Sequence, residues 1–305
     1  MRIVSLLPAA TDIVASLGAT DQLVGRTHEC DWPPGDLESV PVVTTTTLDE
    51  HLSSREISDT VSGGGHRGSS IYHLDQAALS ALRPDLILTQ DLCDVCAVSY
   101  RTVNEAVRIM DLDTRVVSLQ PSKIDEILTT IRTVGDLIDA RDAAERVCAD
   151  ATQRLSELPG PRPDGPGVLF VEWLDPLMPG GHWVPEQIAL AGGRPLVLGP
   201  GEHSVPQHWA DVARLAPDVV VFGPCGFTPE RTIAELDVAR GWPGWADLPA
   251  VRTGQVWVVD GPAYFNRPGP RVVDGAEILA AAFAGRSGRP GSAAPDAYRI
   301  VEVAV

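Results

Sequence analysis

Cysteine and histidine are the residues of this chain whose types and spacing could do chemistry. Cys93 and Cys96 stand in a C-x-x-C spacing inside "TQDLCDVCAVS", directly after the apolar run "RPDLIL". Two thiols at that separation suit a metal ion or a dithiol couple. Cys30 in "THECDWPP" and Cys225 in "GPCGF" each follow another apolar run. With His28 near by, Cys30, Cys93, Cys96 and Cys225 could complete a tetrahedral zinc site or hold an iron–sulfur cluster. A thioredoxin-like redox role is weaker, because the motif lacks the early strand–helix–strand context that role expects. Cys148 falls at helical spacing from Ala144 and Ala151 and reads as a small core residue.

A second constellation is aromatic. Trp32, Trp173, Trp183, Tyr264 and Phe265 follow apolar runs or lie in Gly/Pro-rich loops rather than on helix faces. That placement suits a flat or bulky apolar ligand held between rings, and it suits domain packing as well. His28, Gln90, Glu172, His182, Asn266 and Arg267 share the same loops and could orient a ligand, with His28 or His182 able to ligate a metal the ligand carries. The Gly-rich "GGGHRGSS" has no G-K-[ST], and no G-x-S-x-G occurs, so phosphate-loop and serine-nucleophile chemistry lack a signal.

These residues need strands to position them. Short, non-alternating Val/Ile/Leu runs at Ile3–Leu7, Gln22–Arg26, Asp85–Thr89, Arg115–Ser118, Gly167–Glu172, Pro195–Leu198, Asp218–Phe222 and Gln255–Val259 predict strands covered on both faces of parallel sheets. In such sheets ligands bind beyond the carboxyl ends of the strands, where the cysteines and aromatics fall. Between the two groups of strands, apolar residues recur at helical spacing from Ser122 to Leu158. One uninterrupted helix there would be about 50 Å long, a stiff connector between two lobes. Ser53 with Glu56, and Thr228 with Pro229, mark two further helix starts.

The expected class is therefore α/β: two lobes with mostly parallel sheets joined by a single long helix. The expected boundaries are an N-terminal α/β lobe at 1–120, the connecting helix at 121–160, a C-terminal α/β lobe at 161–284 and an extension at 285–305.

Composition excludes several functions. With 305 residues, 44% of them hydrophobic, the chain can bury sizeable cores. A formal charge of −17, with no basic run, argues against nucleic acid, which needs a basic face. No apolar stretch approaches the roughly 20 residues of a membrane span. The opening apolar run is shorter than the roughly 7–15 residues of a signal-peptide core, which predicts a cytoplasmic protein with reduced cysteines.

The stretches "RIVSLLPAATDIVASLGATDQLVGRTHECDWPP", "LSALRPDLILTQ", "LAPDVVVFGPCGF" and "GWADLPAVRTGQVWVVDG" carry a resemblance over about residues 1–283. The chain resembles the iron-siderophore/cobalamin class of ABC-transporter substrate-binding proteins, within it the vitamin B12-binding branch. The resemblance implies a class III substrate-binding-protein fold, with two α/β lobes joined by a long helix and cobalamin or another corrinoid in the cleft between them. It also implies that an exported member docks on an ABC permease through one acid per lobe, the first at Asp75 in "HLDQAAL" and the second near Ala210 and Asp211. The expectation is a soluble, non-catalytic corrinoid-binding protein. The alternative is a metalloprotein or metalloenzyme with zinc or an iron–sulfur centre on the four cysteines.

Overall fold

The apolar runs at Ile3–Ser5, Leu86–Thr89, Val219–Phe222 and Val256–Val259 form strands buried on both faces, as their composition requires, whereas the strand at Arg115–Ser118 is only partly buried and, of the expected Pro195–Leu198, only Pro195 is strand. The structure is a computed structural model that describes residues 1–49, 51–65, 72–90, 114–285 and 298–300. The chain divides into two compact units: Met1–Leu52, Glu56–Pro121 and Asp125–Ala149 form the first, and Ser53–Arg55, Ser122–Ile124 and Asp150–Val305 the second.

The first half of the chain runs β1 (Ile3–Ser5), α1 (Pro8–Ser16), β2 (Leu23–Gly25), β3 (Thr44–Thr46), α2 (Ser54–Gly65), β4 (Tyr72–Leu74), α3 (Gln76–Leu82), β5 (Leu86–Thr89) and β6 (Arg115–Ser118). Strands β2-β1-β5-β6 make a parallel sheet, with Ile3 beside both Leu23 and Leu86 and Leu88 beside Val117. Val4, Leu6, Val43, Leu79 and Ile87 form one core of this unit. Strands β3 and β4 pair antiparallel on their own, Thr45 opposite His73.

The stretch expected as one long helix is two helices, α4 (Ile124–Leu137) and α5 (Arg141–Ser156). Between them Asp139 adopts φ 59°, a left-handed conformation that no continuous helix contains. The second helix folds back along the first: Arg132 Nε donates to Glu145 at 3.1 Å and the Cys148 thiol to the Leu128 carbonyl at 3.4 Å, pairs 13 and 20 residues apart. Cys148 is fully buried, as its spacing predicts. The boundary between the units, Ala149 to Asp150, falls inside α5.

The remainder continues with β7 (Gly167–Trp173), β8 (Met178–Pro179), α6 (Val184–Leu190), β9 (Arg194–Pro195), α7 (Trp209–Ala213), β10 (Val219–Phe222), α8 (Pro229–Ala234), α9 (Asp237–Arg240), α10 (Pro249–Arg252), β11 (Val256–Val259), α11 (Gly261–Tyr264), α12 (Val272–Phe283) and β12 (Tyr298–Ile300). Strands β7, β10 and β11 are parallel, β9 joins β7 in parallel, and β8 and β12 are antiparallel to β7 and β11. On one face Leu169, Val171, Val220 and Phe222 pack with Trp245 and Leu248. On the other, Phe170 meets Phe265, ring centroids 4.9 Å apart. Helix α8 starts where the sequence predicts, Thr228 accepting from the Arg231 N–H with Pro229 in the first turn.

Candidate functional site

The carboxyl ends of β7 and β10, with the turn from β8 into α6, bring a polar cluster together in the second unit. The Glu172 carboxylate accepts from Ser204 Oγ at 3.0 Å, from the Gly181 N–H at 3.3 Å and from the Cys225 thiol at 3.9 Å. Burial pushes its carboxyl above the ordinary carboxylate range, and the three donors pull the other way without reversing it. Next to it, His182 Nε2 lies 3.1 Å from His203 Nδ1. Burial, and then the neighbouring His203, hold the His182 imidazole below its ordinary pKa. The His182 ring stands 5.7 Å from the Trp183 ring.

Three of the five expected ligand aromatics are packed. Trp183, Tyr264 and Phe265 are buried. Trp183 Nε1 donates to the Phe265 carbonyl at 2.9 Å, while Gln187 Nε2 donates to the Tyr264 carbonyl at 3.1 Å and the Val272 carbonyl at 2.8 Å. These three bonds pin the loop after β11 onto α6. Arg267 in that loop is buried, and Asn266 Nδ2 donates to the Gly223 carbonyl at 3.4 Å. The Arg271 guanidinium lies 4.7 Å over the Tyr264 ring. Trp173 is half-buried, its Nε1 shared between the Ser54 and Asp175 carbonyls at 3.2 Å each and its ring 5.1 Å from Phe227.

In the first unit the loop after β2 is organised by Arg26, whose guanidinium donates to the carbonyls of Thr27, Cys30, Leu37 and Val40. Cys30 is buried inside that loop, its Sγ 2.9 Å from Thr11 Oγ1 and 3.1 Å from Thr27 Oγ1. His28 Nδ1 lies 2.9 Å from Thr44 Oγ1, its ring 5.4 Å from Tyr72. Trp32 is half-buried, and Gln90, after β5, is buried. Cys93 and Cys96 lie outside the described residues.

The metal-centre expectation finds no support here. Among the described residues no three His, Cys, Asp or Glu side chains gather as a metal would require. Cys30 Sγ lies against threonine hydroxyls, and the Cys225 thiol faces the Glu172 carboxyl. Sequence reasoning missed Arg26, Gln187, His203 and Ser204. Only Arg26, at a strand end, carried a positional signal.

Residues 3–263 match the family model described as "Periplasmic binding protein". The chain is 25% identical over 283 residues to the "Vitamin B12-binding protein" of Vibrio cholerae serotype O1, covering 90% of this chain and 86% of that one. Among solved structures it is similar to a periplasmic heme-binding protein from Pseudomonas aeruginosa, with TM-score 0.66 and 22% identity over 97% of this chain and 96% of that chain. It is also similar to an ABC-type Fe3+-hydroxamate transport system from Saccharomonospora viridis, with TM-score 0.63 and 22% identity over 92% of each chain. These likenesses bear out the two-lobed class III periplasmic binding fold. They overturn the cytoplasmic expectation: the matched family is periplasmic. That expectation rested on the short opening apolar run, which is the buried strand β1 and reports the fold rather than the compartment. The inference of reduced cysteines falls with it.

Proposed function

We propose a function from the premise that this chain belongs to the periplasmic binding protein family, which binds small-molecule ligands and works with ABC transporters: its ligand is a corrinoid, with cobalamin the first candidate. The likeness to a vitamin B12-binding protein along nine-tenths of the chain carries this reading. The heme and Fe3+-hydroxamate neighbours share the fold and name the competing ligands.

The contacts we assign lie at the carboxyl ends of the strands. The half-buried Trp32 and Trp173 offer faces for an apolar ring system. His28, Gln90, Glu172, His182, Asn266 and Arg267 supply polar contacts, while the packed Trp183, Tyr264 and Phe265 hold the loops that carry them. Asp75 is the proposed acid for permease docking. It is exposed and caps α3, its carboxylate accepting from the Ala78 N–H at 2.9 Å.

Calorimetric titration with cyanocobalamin, haemin and a ferric hydroxamate, each competed against the others, tests the assignment. Saturable one-to-one binding of cyanocobalamin, weakened roughly tenfold by Trp173→Ala, is the expected result. Saturable binding of haemin or the ferric hydroxamate without cyanocobalamin would transfer the protein to that ligand.

A further inference from the structure

His182, assigned above as one of the ligand's polar contacts, also stands toward His203 in a geometry that contact with a ligand does not require. His182 and His203 stand on adjacent stretches tied by two backbone hydrogen bonds, His182 N–H to the Glu202 carbonyl at 2.7 Å and Gly201 N–H to the His182 carbonyl at 2.8 Å. Their ring centroids are 4.8 Å apart with the planes at 83°, and Nε2 and Nδ1 are separated by 3.1 Å. If each nitrogen made a metal bond of about 2.05 Å, that separation would subtend about 98° at the metal, between the roughly 90° of square-planar and roughly 109° of tetrahedral coordination.

A hydrogen bond between two neutral imidazoles would account for the distance alone. It gives no reason for the backbone. His182 sits at φ 53°, in the left-handed region that non-glycine residues rarely adopt, and residues held this way cluster at functional sites. The strain turns a half-buried ring toward an exposed one.

We propose that His182 Nε2 and His203 Nδ1 form a two-imidazole site for a borderline divalent transition-metal ion, copper(II) before nickel(II) or zinc(II), with water in the remaining positions. The affinity order follows the general preference of nitrogen donors. The site needs no corrinoid and stands whether or not cobalamin is the ligand.

The test uses the full chain, free of any histidine tag and of corrinoid, titrated with copper(II) chloride by calorimetry and followed by electron paramagnetic resonance. One copper per chain with nitrogen hyperfine structure from two imidazoles is expected. His203→Ala, at an exposed position, and His182→Asn, which tolerates positive φ, should each weaken binding by roughly tenfold or more and remove one nitrogen from the spectrum. Thermal melts of both variants establish that they are folded, and if His182→Asn is not, His203→Ala decides. No stoichiometric copper in the parent, or a folded His203→Ala that binds as the parent does, would overturn the site.

Discussion

Glu172 is where pH enters the second unit. Its pKa in the fold lies above the ordinary value of 4.5 because burial disfavours the charge. The fold therefore binds the proton more tightly than the unfolded chain. That contribution is complete below the ordinary carboxylate range and is lost as pH rises through the raised value. Thermal melts between pH 5 and 8 should show the parent losing stability with rising pH more steeply than Glu172→Gln, which has no proton to lose; parallel slopes would sink the idea. Gln187 makes a second residue-scale prediction. Gln187→Leu leaves the Tyr264 and Val272 carbonyls without their donor, at about 1–3 kcal/mol for each buried group. Urea denaturation should show the midpoint falling, with cyanocobalamin affinity reduced because the pinned loop loosens. Glu172 was legible from its place at the carboxyl end of a strand. Gln187 was not, because nothing in a helical sequence says which distant carbonyls one amide will meet.

At the scale of elements, α12 tests whether close approach outweighs propensity. Gly275 in that helix packs so tightly that an added Cβ would stand 2.4 Å from Gln187 Nε2 and 2.6 Å from the Tyr264 carbonyl. Gly to Ala in a helix interior ordinarily gains up to about 1 kcal/mol, but overpacking costs about 1–3 kcal/mol. Gly275→Ala should therefore lower the melting temperature instead of raising it. Helix α5 is anchored to α12 in another way: Arg154 donates to Asp274 at 2.6 Å and Glu277 at 2.7 Å. Arg154→Met should cost about 1–3 kcal/mol in denaturant melts, since it leaves two mostly buried carboxylates facing each other. The fold was most legible where chemistry is local. Strand β6 occupies Arg115–Ser118 as read, and α8 starts at its proline. The break at Asp139 was hidden because its nearest glycine, Gly135, lies inside α4 rather than at the turn, and no proline falls between Leu137 and Arg141. Strands β3 and β8 were missed because a threonine triplet and a Met-Pro pair carry no apolar run. The aromatics after the strands were placed correctly along the chain, but position does not report side-chain direction, so Phe265 turned out to face Phe170.

For the whole molecule, ligand capture is a stability measurement as well. A ligand that binds only the folded chain stabilises it by about 2.7 kcal/mol at a hundredfold excess over its dissociation constant. Cyanocobalamin at that excess should raise the melting temperature, and an unchanged melt would remove corrinoid capture from this protein. The architecture also bears on whether the molecule can be divided. The second unit takes in Ser53–Arg55 and Ser122–Ile124 as well as the C-terminal half, and the last passage of the chain between units, Ala149 to Asp150, falls within a hydrogen-bonded helix. A protease cleaving at Ala149 would have to melt α5 to seat its substrate, and the C-terminal product would lack Ser53–Arg55 and Ser122–Ile124, two segments of its own unit. Fragment expression and half-by-half recombination with relatives are therefore poor routes to this protein: its two units are separable as packing but indivisible as chain.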